Sequence, residues 1–314
     1  MINSTNSTIG IGNKTSNLFY QKQIADQMLN ETNQTMFLIS SILSNRLAVN
    51  QTFSIEKDDF SAFFQSKMST DLANQTFQHM NFPVNFSLNT TADLILIESK
   101  LEVLAPYGDG QANTNYSKAL TLNFFDQKNQ SEFKIQTDQL IEFIIPRDRN
   151  LPVPELNMQN VTGLQKLFHY KFIDLDEIKR TNHDLSFALN FQIGSVDKMN
   201  TSYAFIYRFD RKKQYDNIDF FCYSDSSEFY EYFIDNQQLS KYHSLIFGLR
   251  ELTSVEYENV CEMNSKNDFD INNPDAIFTS NYYLRVYTSG CYYLDEKNRW
   301  QSDGLIVCFL FLFE

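Results

Sequence analysis

The sequence has few of the residues that interrupt or cross-link a chain. Its 314 residues include nine glycines, six prolines and four cysteines. So little glycine and proline excludes a low-complexity linker for most of the chain. The length suffices for one large or two modest domains with ample core. Phenylalanine and tyrosine, at 29 and 17 residues, favour strands because their side chains fit pleated, half-buried surfaces.

The sequence also has little positive charge, which excludes one class of partner. Its 26 lysines and arginines face 39 aspartates and glutamates, and the formal net charge is -13. Proteins that bind a phosphate backbone do so with basic surfaces that release counterions. We therefore predict that nucleic acid is not a ligand.

Asparagine is abundant, and much of it lies in N-glycosylation sequons. The 31 asparagines form thirteen Asn-x-Ser/Thr sequons, where chance would give about four or five. Eleven of them precede residue 130, so we expect a sugar-coated N-terminal half in the secretory pathway. The alternative is an asparagine-rich genome that makes sequons by accident. The sequons are at Asn3, Asn6, Asn13, Asn30, Asn33, Asn50, Asn74, Asn85, Asn89, Asn115, Asn129, Asn160 and Asn200.

The sequence shows neither a leader nor an anchor. Met1 to Thr15 is polar and has no basic start followed by an apolar core. No window reaches the roughly 18 apolar residues of a membrane span. An extracellular composition without these segments indicates an internal piece of a larger receptor or a truncated gene model, with membrane contact only through segments missing from the chain.

The N-terminal quarter has helical periodicity. Residues 1–16 predict a disordered linker, and residues 17–80 predict a helical subdomain. We expect two helices between Asn17 and Val49, separated near 30–35, and a third helix over 58–72. The third prediction depends on an apolar stripe formed by Phe60, Phe63, Phe64 and Met68.

After residue 81 the apolar period falls to two. Residues 185–193 alternate without fault, which predicts a strand with one buried face. The fold class is therefore predicted to be α+β, with a short N-terminal helical subdomain followed by a large antiparallel β-sandwich over 81–305. Residues 306–314 form an apolar tail and are interpreted as a truncation artefact.

The sequence does not predict an enzyme. The four histidines are scattered, no pair of cysteine or histidine has metal-ligand spacing, and no phosphate-binding loop or nucleophile elbow occurs. Abundant carboxylates leave a glycosidase pair open. We expect no cofactor and no catalytic residue.

An oxygen-rich cluster precedes residue 276. It offers carboxylate and amide oxygens of the kind that bind Ca²⁺, but it lacks the glycine and the terminal glutamate of an EF-hand loop. A solvated turn is the favoured interpretation. The cluster consists of Asp268, Asp270, Asn272, Asn273 and Asp275.

The four cysteines allow three pairings if the compartment is oxidising. Cys222 and Cys261 both lie in the strand-rich half, whereas Cys291 belongs to a separate aromatic segment, so we favour a disulfide between the first two. Four reduced cysteines are the alternative.

The segment 289–305 predicts a compact hairpin. Tyr292, Tyr293 and Leu294 form one aromatic strand and residues 295–298 supply turn chemistry. Trp300, the only tryptophan, begins a second strand that breaks at Gly304.

This hairpin resembles the GPS motif of receptor-like polycystins. The matching residues are Cys291, Tyr293, Trp300 and Gly304, in the family's order of cysteine, aromatic strand, acidic turn, tryptophan and glycine. The Ile-Ile-Pro-Arg-Asp step at 144–148 and the helices-then-strands order are compatible with a GAIN-type region. The resemblance implies a position on the extracellular face of the plasma or ciliary membrane and a polycystin-type cation channel subunit as partner.

The resemblance also locates differences from the family. Many GPS motifs cleave themselves at a His-Leu-Ser/Thr tripeptide, which is absent here, so self-cleavage is not expected. In the family the hairpin cysteine pairs with a residue just before that tripeptide; here Cys308 stands in for it or Cys291 is left free. The expected function is a non-enzymatic stalk that links sensory modules to a membrane part. The alternatives are a secreted β-sandwich carbohydrate-binding protein or glycosidase, and the stalk of an adhesion-type G-protein-coupled receptor.

Overall fold

The computed structural model has an α+β fold that is mostly β, with an N-terminal helix followed by several antiparallel sheets. The chain forms two compact units, Met1–Pro152 and Val153–Glu314, called unit 1 and unit 2 below. The structure describes residues 9–57, 60–102, 119–135, 139–145, 154–161, 168–182, 184–196, 201–210, 212, 214–223, 229–266, 269–276, 278, 280–294 and 300–306.

One continuous helix, α1 (Ile9–Ser44), opens unit 1. It begins inside the predicted linker 1–16, and it does not break near residues 30–35 as expected. That region is polar but contains neither glycine nor proline, so nothing in it interrupts the backbone hydrogen bonds. Polar side chains bond within the helix instead: Thr35 Oγ1 donates to the Glu31 carbonyl oxygen at 2.8 Å. No helix in the described part of the chain is long and apolar enough to span a membrane.

In the part of unit 1 that the structure describes, eight strands follow the helix and form two antiparallel sheets. The larger has the order β1-β2-β5-β6-β7 and the smaller β3-β4-β8. Their bounds are β1 Thr52–Lys57, β2 Phe60–Met68, β3 Thr76–Phe77, β4 Met80–Asn81, β5 Leu94–Glu102, β6 Ala119–Asp126, β7 Ser131–Phe133 and β8 Glu142–Phe143.

Strand β2 occupies the place of the helix predicted over 58–72, and that prediction is wrong. The strand is covered on both faces: Ala62 and Phe64 pack into the cluster that contains Met36 of α1, whereas Phe63 packs into the cluster on the opposite face. Apolar residues on both faces produced the 3–4 residue spacing that resembles a helical stripe. The range 17–80 is therefore helical only up to Ser44.

Helix α1 contacts the larger sheet through polar as well as apolar groups. Ser40 Oγ donates to Glu98 Oε2 at 2.7 Å, and Glu98 is 1% exposed. Lys100 Nζ donates to Asn33 Oδ1 at 3.0 Å. Burial raises the pKa of Glu98 above its ordinary value, although hydrogen bonds such as that from Ser40 oppose the rise.

The described residues of unit 2 form ten strands and three short helices. Two four-stranded antiparallel sheets have the orders β10-β15-β12-β13 and β14-β11-β16-β9, and β17 pairs with β18. The strand bounds are β9 Asn157–Gln159, β10 His169–Asp174, β11 Ala188–Ser195, β12 Tyr203–Phe209, β13 Asn217–Phe221, β14 Tyr230–Ile234, β15 Ser244–Glu251, β16 Tyr282–Ser289, β17 Tyr293–Leu294 and β18 Trp300–Gln301. The helices are α2 Leu175–Thr181, α3 Asn236–Leu239 and α4 Ser254–Tyr257, which continues as a π-helical segment, Glu258–Glu262.

The two four-stranded sheets of unit 2 enclose an aromatic core. Phe191 of β11 lies with its ring centroid 5.4 Å from Phe205 of β12 and 5.0 Å from Phe247 of β15. The inward residues of β11, Leu189, Phe191 and Ile193, are at most 1% exposed. The buried face predicted from their alternation is thus confirmed, and unit 2 is a closed sandwich.

Candidate functional site

The predicted hairpin is formed by β17 and β18, with Tyr293 opposite Gln301 and Leu294 opposite Trp300. The second strand ends at Gln301, and a turn follows in which the Leu305 amide donates to the Ser302 carbonyl oxygen at 3.2 Å. Gly304 has a φ of 76°, a left-handed conformation that a side chain would strain. The predicted break at Gly304 therefore has a backbone reason, whereas the predicted turn at 295–298 lies outside the described residues.

Three hydrogen bonds attach the hairpin segment to the sandwich, and we call them the latch. Asn182 Nδ2 donates to the Tyr292 hydroxyl oxygen at 3.0 Å, and the Ser186 amide donates to Ser302 Oγ at 3.0 Å. Asn236 Nδ2 donates to the Leu305 carbonyl oxygen at 2.9 Å.

Asn236 is the buried member of the latch, at 5% exposed, and its amide also bonds Ser186 Oγ at 3.2 Å. It opens helix α3 immediately after Asp235, whose carboxylate caps that helix by accepting from the Gln238 amide at 2.8 Å. The N-terminus of α3 is therefore fixed, and it presents the Asn236 amide group to the segment that follows the hairpin.

The four GPS-like residues lie in the hairpin segment, and the structure describes the side-chain exposure of only some of them. Cys291 and the adjacent Tyr292 are half-buried, and Tyr293 is exposed. The side chain of Trp300 and the whole of 307–314, including Cys308, lie outside the described residues. The expectation about a Cys308 partner therefore stays a prediction.

The sequon asparagines form the second candidate feature. Eight have a described exposure, and all eight are exposed: Asn30, Asn33, Asn50, Asn74, Asn85, Asn89, Asn129 and Asn160. Asn50 and Asn74 lie in turns with φ values of 67° and 56°. Asn129 already donates through its amide to Asp126 Oδ2 at 2.6 Å. Asn3, Asn6, Asn115 and Asn200, and the side chain of Asn13, are outside the described residues.

The structure joins Cys222 and Cys261 in a disulfide with a Cα–Cα distance of 5.6 Å. Cys222 directly follows β13, and Cys261 lies in the π-helical segment after α4. The bridge thus ties a segment outside the sandwich sheets to the end of an edge strand. This is the pairing favoured from the sequence.

The oxygen-rich cluster before residue 276 is a hydrogen-bonded turn in its described part. Asp270 Oδ1 accepts from the Asn272 amide at 2.9 Å, and Asn273 Oδ1 accepts from the Asp275 amide at 3.0 Å. These contacts match the solvated-turn interpretation. Asp268 lies outside the described residues, and the part of the chain that the structure describes contains no group of three or more metal-ligating side chains.

Arg250, which sequence reasoning missed, organises that turn. It is fully buried, and its guanidinium lies between the rings of Phe168 and Phe269, at 5.3 and 4.5 Å from their centroids. Its two terminal nitrogens donate to Glu256 at 2.8 and 2.7 Å, and one also donates to the Asp270 carbonyl oxygen at 3.1 Å. No sequence signal distinguishes Arg250 from a surface arginine at a strand end.

Glu256 is held ionised by this arrangement. Burial would raise its pKa, but hydrogen bonds from Arg250, Asn273 and the Thr253 amide outweigh it and lower the pKa to about 2. The same carboxylate completes a capping box with Thr253 at the start of α4. Arg250 and Glu256 form a buried ion pair with a structural role, because both charged groups are buried and directed at each other.

Two of the described histidines, His169 and His243, make different kinds of contact. His169 Nδ1 lies 2.9 Å from the hydroxyl of Tyr282 in the core, and His243 Nδ1 lies 3.0 Å from Asp176 at the exposed end of β15. His183 is outside the described residues. The geometry of His169 and His243 is that of core packing and surface pairing.

Comparisons with protein-family profiles, with curated proteins and with solved structures found no match for this chain. What can be said of its function therefore depends on its own residues.

Proposed function

We propose that this chain is a non-enzymatic, N-glycosylated extracellular stalk domain of a polycystin-like membrane receptor. It would link adhesive or sensory modules to a membrane part, at the plasma or ciliary membrane, and a polycystin-type cation channel subunit would be its partner. The GPS-like hairpin suggests the family.

The observation that carries the proposal is the exposure of all eight sequon asparagines whose surroundings are described. Oligosaccharide transfer needs an accessible side-chain amide, and a buried sequon is useless to a secreted protein. Seven of the eight lie in unit 1, where the sequons are densest. The disulfide of unit 2 supports the same oxidising compartment.

The latch supports the stalk role. A stalk transmits load from one end of the domain to the other, so the terminal hairpin has to be fastened to the domain. The bonds to Tyr292, Ser302 and Leu305 fasten it at three points along its length.

The first test is secretion of the whole chain behind a heterologous leader from eukaryotic cells. We expect treatment with peptide-N-glycosidase F to lower its mass, and Asn→Gln changes at Asn74, Asn85 and Asn89 each to remove one increment. Asn45→Gln is the matched control, because Asn45 is exposed but lies in no sequon. Secretion of a chain without releasable glycans would contradict the proposal.

The second test addresses the partner alone. The glycosylated chain is immobilised and exposed to the extracellular part of a polycystin-type channel subunit. We expect the immobilised chain to retain the channel part. We expect this retention to be lost in the Asn236→Ala variant, because the substitution loosens the hairpin. Absence of retention would reject this partner and leave the glycoprotein assignment standing.

A further inference from the structure

One sheet face of unit 2 is only half covered. On the outer side of the sheet β10-β15-β12-β13, Phe269 and Ile271 pack over Phe168, Ala204 and Ile206. The adjoining half carries side chains that remain in solvent: Tyr170 is 45% exposed and Phe172 is 53% exposed. Together with Tyr215, Arg208, Lys171 and Ile246 they line a cavity of about 410 Å³, and we call these six residues the platform.

The ring of Tyr170 is held in place. It lies against Gly248, where an added Cβ would come within 2.8 Å of the ring, so only glycine permits this position. Its hydroxyl is 2.7 Å from that of Tyr215, whose ring centroid is 5.5 Å from the Arg208 guanidinium carbon. Burial and the bond to Tyr215 raise the pKa of Tyr170, so the phenol stays neutral. The platform is thus preorganised, which lowers the entropy cost of binding.

The charge of the platform is opposite to that of the chain. Arg208 brings a guanidinium to it, and its described lining contains no carboxylate, although the chain has a net charge of -13. Lys171 also lines it, but its place on β10 opposite Phe247 directs its side chain to the other face of the sheet. The sequence of the connection from β12 to β13 contains the basic run Arg211-Lys212-Lys213, of which Arg211 and Lys213 lie outside the described residues.

The nearest acids in that connection are already bonded. Asp210 Oδ1 accepts from the amides of His243 and Ser244, at 2.8 and 2.9 Å. Asp216 accepts from the Phe209 amide at 2.7 Å and from Lys212 Nζ at 2.8 Å. Negative charge on a ligand is therefore the complement that this surface lacks.

We propose that the platform binds an anionic saccharide, with a sugar ring stacked on Tyr170 and Phe172 and its carboxylate or sulfate on Arg208. A fixed aromatic face matches the flat C–H face of a pyranose ring, and a guanidinium binds a carboxylate with two parallel hydrogen bonds. The cavity volume falls in the range of small-ligand sites, roughly 300–1,000 Å³. The proposal goes beyond the stalk assignment and does not depend on it.

The test titrates the whole chain, freed of its own N-glycans, with a trimer of galacturonic acid and with the matched neutral trimer of galactose. Calorimetry at low and high salt gives the affinities. We expect the acidic trimer to bind at least about tenfold more tightly than the neutral trimer. We expect Arg208→Gln to lower the affinity for the acidic trimer about tenfold, as for loss of one charge-assisted hydrogen bond. Tyr170→Ala and Phe172→Ala should each weaken both sugars.

Phe53→Ala is the matched control, because Phe53 is an exposed phenylalanine of β1, in unit 1. Unchanged circular dichroism confirms that each variant folds. Equal affinity for the two trimers, tighter binding of an acidic peptide that contains one phenylalanine, or binding of neither trimer would each overturn the proposal.

Discussion

Removing the charge of Glu256 should cost unit 2 about 3 kcal/mol of unfolding free energy. Arg250 is fully buried and bonds both oxygens of Glu256, so Glu256→Gln leaves a buried guanidinium facing an amide that supplies one acceptor. Breaking one side of a buried ion pair typically costs about 3–5 kcal/mol. The lowering of the Glu256 pKa from 4.5 to about 2 gives a similar figure, about 2–3 kcal/mol after allowance for solvent screening.

The pH dependence has a definite sign. Because the folded-state pKa is lowered, the contribution of Glu256 is complete above its ordinary pKa and is lost as pH falls toward 2. The difference between the wild type and Glu256→Gln should therefore be largest at neutral pH and shrink between about pH 5 and pH 2.

Urea unfolding followed by tryptophan emission measures this difference. The single tryptophan, Trp300, belongs to unit 2, so its emission reports that unit even if unit 1 unfolds separately. Glu258→Gln is the control, since Glu258 is exposed two residues away. A loss below about 1 kcal/mol, or a difference that persists at low pH, would refute the reasoning.

Three further predictions concern the disulfide, the latch and the buried acid of unit 1. Replacing Cys222 and Cys261 by serine opens a loop with a sequence separation of 39 residues. Urea unfolding should then show that the stability of unit 2 falls by about 4 kcal/mol. An unchanged stability would contradict a disulfide in the native state. Asn236→Ala should accelerate amide hydrogen exchange at Leu305 and Ser186, with Gln237→Ala, an exposed neighbour, as the unaffected control. Glu98→Gln should stabilise unit 1 at neutral pH, because the raised pKa means that ionising Glu98 costs more in the folded state than in the unfolded state. Hydrogen exchange of β5 should show that this gain in stability disappears below the ordinary carboxyl pKa. A gain in stability that does not depend on pH would reject this cause.

In unit 2 a strand was predictable where apolar and polar residues alternate in the sequence. The alternation over residues 185–193 predicts a strand, and β11 forms over Ala188–Ser195. Strand β14, by contrast, was missed because Tyr230 to Phe233 are all half-buried, so that no alternation marks its face. In unit 1, β2 failed for the opposite reason, since both of its faces are covered.

The site was predictable only where it is local in sequence. The hairpin is one short segment with turn residues at fixed positions, and the sequons are tripeptides, so both could be read directly. The platform joins Tyr170 to Tyr215 across 45 residues, and Arg250 meets Phe269 across the α4 connection. Such contacts follow from strand order, which the sequence does not state.

The mechanical role proposed for the hairpin depends on the residues that attach it to the sandwich. The two sandwich residues that fasten its final segment, Ser186 and Asn236, lie just before β11 and just after β14. These strands pair with each other, and β11 is internal to its sheet whereas β14 is the edge strand, so a pull on Leu305 is received by an internal strand and its edge neighbour. In the proposed stalk, the latch would therefore transmit load from the hairpin segment to the sandwich until its hydrogen bonds broke. This makes the polar latch, rather than the aromatic hairpin itself, the element whose strength sets when the end of the domain opens.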